Sequence, residues 1–533
     1  MRLLALIIVI AGAAESAQTR ISTVGEVQFA NSGSAAAQAT FLEGLAQLHN
    51  FEYGSAAALF QKAEQLDDGF AMAYWGEAMT YNHPVWAEQD RDKALTALAR
   101  LGPTPDARIA KAGTEREKDY MRAAEALYGE GDKASRDFAF ADRMADLHRK
   151  YPDDVDAAAF HALSLLGTAH AGRDFRTYMR AAAILEPLFP THPAHPGIAH
   201  YLIHSYDDPV HAPLGLRAAR AYSKIAPSAG HAQHMCSHIF VAMGMWDDVV
   251  AANEAAVAVV DRGRAAHGHG PSACGHYNFW LEYGYLQQGR YADAKKLVAH
   301  CYAAARAAAA PQAGPLSQSL DPDSSAIGSF SEMRTRYLLD TEDWGSDVVG
   351  WSVATGGQPR PEVGFEFATG YAAVRRGQRA AAASALARLT AARSALDAQL
   401  EKTPAAAGAE ASTGPWAKIL EDQLSALIQL TDGATAPAIA RLGEVASLEE
   451  KLPYEFGPPF IDKPSYELLG EALLAAGRPK EARAAFEQSL ARAPERTASL
   501  RGLMQAEEKL GDAKKATDIN AKLRAIQHRA DRP

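Results

Sequence analysis

Apolar residues recur along the chain three or four positions apart and are punctuated by Gly and Pro. This is the spacing of amphipathic helices, and the strict alternation of a half-buried strand is not seen. The punctuation has a period of about 34 residues. With Lys463 as position 1, Gly470 falls at 8, Gly477 at 15, Ala482 at 20, Phe486 at 24 and Pro494 at 32. With Ala37 as position 1, Gly44 is again at 8, Ala56 at 20 and Phe60 at 24. The register recurs near residues 71, 121, 155, 196, 230, 275, 325, 363, 418 and 497. About twelve helical hairpins are predicted, each too small to bury a core alone and so stacked on its neighbours.

The residues at these positions resemble the tetratricopeptide repeat (TPR) superfamily over almost the whole chain. The resemblance implies an all-α fold, a right-handed α-solenoid with a concave groove lined by the first helix of each hairpin. Segments 310–319 and 403–414 are rich in Ala, Gly, Pro and Ser and read as linkers. They suggest an N-terminal block, 18–310, carrying the groove chemistry, and a C-terminal block, 323–533. The segment 452–464, LPYEFGPPFIDKP, is long for a turn between hairpins. It either connects two units or folds over the groove and offers Tyr454, Phe456 and Phe460 to it.

Residues 1–17 read as a signal peptide: Arg2, an apolar run from Leu3 to Ile10, then small residues. The alternative is a buried N-terminal helix. The expected location is therefore periplasmic or secreted, with no membrane span. Three Cys are present. In an oxidising compartment Cys274 and Cys301 can pair, leaving Cys236; alternatively all three are buried thiols. The balance of 54 basic and 64 acidic residues, without a basic run, argues against a nucleic-acid partner.

Histidine supplies the candidate chemistry. Thirteen of the 18 lie between residues 161 and 276. HYLIHSY from His200 and HMCSHIF from His234 share the form His-x-x-x-His-x-aromatic, 34 residues apart. Residues i and i+4 share a helix face. His200, His204, His234 and His238 are thus expected to converge in the groove as transition-metal ligands, zinc or copper. Cys236, Met235, Met243 and Met245 add soft atoms nearby and tilt the choice slightly towards copper, although Cys236, two residues from both His234 and His238, points off their face. His161, Asp207 and His276 are additional candidates from the same counting, and His49 and His83 recur one period apart. A polar network or a pH-sensitive surface are the alternatives to metal.

Segments 71–86, 195–220 and 234–254 resemble a family of secreted bacterial TPR proteins. That resemblance implies the fold and export and assigns no catalytic residue; its pattern has Pro where this chain has Cys236. No nucleophile elbow, phosphate loop, dinucleotide fingerprint or HExxH motif is present. The expected role is binding or scaffolding, with a protein, peptide or small ligand in the groove. A metal-dependent enzyme built on the same histidines, or a purely structural adaptor, are the alternatives.

Overall fold

The computed structural model describes residues 23–310, 322–402 and 412–531. The expected signal peptide lies outside them, as do almost all of the two expected linkers. Among the described residues, twenty-four α-helices run from α1 (Ala35–His49) to α24 (Ala513–Ile526), joined by a short β-ribbon and short 3-10 turns. The chain is all-α, and successive helices pack as antiparallel hairpins. All twelve expected first helices are present. Two places are irregular: the short α5 (Pro105–Lys111) stands between the second and third hairpins, and α16 (Ala326–Thr341) is followed by a 3-10 turn at Asp347–Gly350 instead of a second helix. Among the described residues, no helix is long and apolar enough to cross a membrane.

The repeat register has a steric basis. A Cβ at Gly44 or Gly76 would run into the ring of Phe60, and one at Gly470 or Gly502 into the ring of Phe486. In these two hairpins the large residue of the second helix therefore sits between two first helices that glycine lets approach. Several helix starts are fixed by polar side chains: Asp154 accepts from the Ala157 amide, and Thr114 and Glu117 form a reciprocal capping box.

The apolar core is one-dimensional, as stacking requires. It continues across the junction at 310–322, because Val298, Cys301 and Ala305 share a cluster with Ile327, Phe330 and Met333. Cys274 and Cys301 form a disulfide, and Cys236 is a free, buried thiol. The superhelix curls until its end meets its middle. Trp246 Nε1 donates to the Glu495 carbonyl (3.1 Å), and the Thr497 amide donates to Gln287 Oε1 (2.9 Å). The Asp531 amide donates to the Gly289 carbonyl (3.1 Å).

Candidate metal centre

Three consecutive first helices carry the histidines: α10 (Pro196–Tyr206), α12 (Gly230–Ala242) and α14 (His276–Gln287). The i, i+4 pairs point inward as expected. They do not line an open groove, however. His200, His204, His234 and His238 are all at most 2% exposed. Aromatic rings enclose them. Phe51 packs on His200 (centroids 4.3 Å), Trp280 on His238 (4.5 Å) and Phe456 on His238 (5.0 Å).

Phe456 belongs to the 452–464 segment, which folds across the groove as a strap. Arg336 holds the strap by donating to the carbonyls of Asp462 (2.9 Å) and Pro459 (2.7 Å). Between strap and helices a cavity of about 430 Å³ remains, lined among others by Trp86, Arg173, His231, His276, Trp280 and Glu455.

Among the described residues, four groups of ligand-type side chains have their potential ligand atoms within 4.8 Å of one another. Hydrogen-bond partners fix the ring tautomers and so separate the groups by chemistry. In the first group, His49 Nε2 donates to Asp156 Oδ1 (2.9 Å), while its Nδ1 accepts from the Tyr201 hydroxyl (2.9 Å). His195 Nδ1 accepts from the Ile198 amide (3.3 Å), which leaves its Nε2–H facing Asp156 (3.4 Å). Every ring nitrogen there has a role, so this is a structural network.

His234, His238 and His276 behave differently. His234 Nδ1 donates to Asn253 Oδ1 (2.7 Å), and the Asn253 amide is oriented by its own bond to the Val249 carbonyl (2.8 Å). His238 Nδ1 donates to Asp207 Oδ2 (2.9 Å), and His276 Nδ1 to Asp323 Oδ2 (2.8 Å). All three Nε2 atoms are therefore acceptors in the neutral rings. Yet His234 Nε2 and His238 Nε2 lie 3.1 Å apart. Two lone pairs face each other, and protonation is no easy remedy. Burial pushes the His238 ring down to about 4 against the pull of Asp207, and it holds His234 well below the ordinary imidazole range.

His200, His204 and His231 form a third group. His200 Nδ1 donates to the His49 carbonyl (2.7 Å), and its Nε2 lies 3.2 Å from His231 Nε2. His204 Nδ1 is 3.4 Å from Asp207 Oδ2 but poorly aligned, and both His204 nitrogens are buried without a hydrogen bond. The fourth group, His204, Asp207 and His238, joins the other two. Burial works to raise the Asp207 carboxyl, but Arg173 and the two rings outweigh it and hold it below the usual carboxylate range. Arg173 also pairs directly with Asp207.

The structure thus divides the expected four-histidine patch between two groups and supplies His276 to one of them. His161 is elsewhere: its Nδ1 lies 3.2 Å from His148 Nδ1 on α7 (Lys133–Lys150). His83 stacks on Tyr53 (4.0 Å) outside the cluster. Cys236 points away, towards the Ala232 carbonyl (3.5 Å), and burial raises its thiol to about 11. Sequence reasoning missed His231. It stands at position 2 of its repeat unit, as His276 does, so the same register counting reaches it.

No protein-family model matches the chain, and no curated protein matches it. Solved structures do match over most of its length. Yeast Tom70 is 13% identical, covering 90% of this chain and 97% of its own, with a TM-score of 0.32. A human IFIT1 dimer with m7Gppp-AAAA is 10% identical, covering 93% and 96%, with a TM-score of 0.34. The TPR domain of P58(IPK) is 12% identical, covering 90% and 100%, with a TM-score of 0.20. The helix pairing and 34-residue register of this chain resemble the TPR superfamily in their own right.

Proposed function

We propose that this is an exported TPR-like protein that binds a transition-metal ion through His234, His238 and His276 and takes a small ligand in the adjoining cavity. One observation carries the metal reading. Two buried Nε2 lone pairs stand 3.1 Å apart while both Nδ1 atoms are committed as donors. A shared cation resolves that repulsion. The outer partners Asn253, Asp207 and Asp323 act as the acceptors that orient metal-bound imidazoles. An all-nitrogen set suits zinc, copper or nickel. The Cys274–Cys301 disulfide supports an oxidising compartment, in line with the N-terminal sequence.

The cavity supports a small ligand over an extended peptide or protein partner. Its volume of about 430 Å³ lies within the range of small-molecule sites, and the strap occupies the groove that a peptide would need. Metal analysis of full-length protein purified from a periplasm tests the reading. Bound metal is expected in the native chain and is expected to fall by at least one equivalent in His238→Asn and His276→Asn, but not in His528→Asn. Native protein that takes up no metal refutes it.

A catalytic reading is favoured by Glu455. It lines the same cavity, and burial pushes its carboxyl up to about 7 against the pull of Arg173, a value suited to general acid–base work. On this reading Glu455→Gln keeps its metal and loses turnover of ester or amide probes that the native protein hydrolyses. Native protein inert to such a panel excludes hydrolysis of those probes.

A further inference from the structure

Building on that metal reading, we propose that the centre is dinuclear: His200, His204 and His231 hold a second transition-metal ion beside the first. The repeat itself constructs the site twice. In one copy α10 supplies the i, i+4 pair His200 and His204, and the start of the next first helix, α12, supplies His231. In the other copy α12 supplies His234 and His238, and the start of α14 supplies His276. His231 and His276 both stand at position 2 of their repeat units, counted from Gly230 and Gly275. Each potential triad has its ligand atoms within 4.8 Å of one another.

The second triad has its own chemical signature. His200 is locked with its proton on Nδ1 by the His49 carbonyl (2.7 Å), so Nε2 carries a lone pair towards His231 Nε2 at 3.2 Å. One proton shared between those two rings satisfies that pair alone. It leaves His204, 1% exposed, with two buried nitrogens that no protein group satisfies. Leaving such a group unpaired costs on the order of 1–3 kcal/mol. One cation bound by all three rings answers both problems.

The two triads are neighbours. The rings of His204 and His238 are 5.6 Å apart, and those of His231 and His234 are 6.2 Å apart. Asp207 Oδ2 lies 2.9 Å from His238 Nδ1 and 3.4 Å from His204 Nδ1, so one carboxylate stands between the two triads. His231 and His276, one from each triad, line the same cavity. A ligand there meets both ions.

Titration of the full-length, chelator-stripped protein with Co(II), followed by visible absorption and metal analysis, tests this. The native chain is expected to break at two equivalents. His231→Gln and His200→Gln are each expected to break at one equivalent, and so is His276→Gln, through loss of the other site. His231 borders the cavity, so its Gln variant keeps the fold, which circular dichroism checks. A native break at one equivalent, unchanged in His231→Gln and lost in His276→Gln, overturns the second site and leaves the single-ion reading standing. Absence of any binding overturns both.

Discussion

His204 is a residue whose burial works against stability. Both of its nitrogens are buried among rings without a hydrogen bond. In metal-free protein His204→Leu is therefore expected to raise stability by about 1–3 kcal/mol, because an unsatisfied polar group leaves the core. Urea denaturation in the presence of chelator measures this, and a destabilised variant counts against the account. His161 gives a pH-dependent case outside the cluster. Burial, then the neighbouring His148, pushes it down to about 4. In the unfolded chain the ring titrates near 6.5, so between about 6.5 and 4 unfolding takes up a proton. Its contribution is complete above 6.5 and is lost as pH falls towards 4. The stability of native protein relative to His161→Gln should therefore decline through this window, as melts at pH 7, 6 and 5 would show.

At the scale of elements, the strap and the disulfide hold the centre together. Gly457 has φ +96°, and a Cβ there would strike the Trp280 indole, so glycine lets the strap press Phe456 against the histidines. Gly457→Val is expected to lift the strap and weaken Co(II) binding at least tenfold, read by competition with a chromophoric chelator. Unchanged affinity would show that the strap does not shape the site. The disulfide ties the segment just before His276 to α15 (Tyr291–Ala308), across a sequence separation of 27 residues. Loop-closure entropy for that length gives about 3–4 kcal/mol. The double variant Cys274→Ala, Cys301→Ala should lose stability on that scale in urea.

Over the whole molecule, a buried ion group secures the closure of the superhelix. Arg496 is fully buried, donates to Asp340 Oδ2 (3.0 Å) and Glu467 Oε2 (2.9 Å), and begins the turn whose Thr497 reaches back to Gln287. Arg496→Ala leaves Asp340 with Gln287, and Glu467 with Lys463 and Ser499, but removes the cation the two carboxylates share, and is expected to cost about 3 kcal/mol. The loss should appear in equilibrium denaturation, and hydrogen exchange should rise where residues 495–531 meet α14. Exchange unchanged at that contact would mean that closure does not depend on this group.

The hairpin fold was legible because its determinants are local and repeated. Gly44 and Gly470 make room for Phe60 and Phe486 within one period, so counting along the chain finds them. The pairing of His200 with His204 and of His234 with His238 was legible for the same reason, since i and i+4 share a face on any helix. Tertiary structure alone decided the rest. Whether those rings face solvent or aromatic walls depends on Phe456, more than 200 residues further on in the chain. The separation of one patch into two triads depends on His231 and His276 entering from the next helix. The tautomers depend on the His49 carbonyl, Asn253, Asp207 and Asp323. Helical period is a property of neighbouring residues. Burial, proton position and closure of the superhelix arise from contacts between residues far apart in sequence, which no local pattern records.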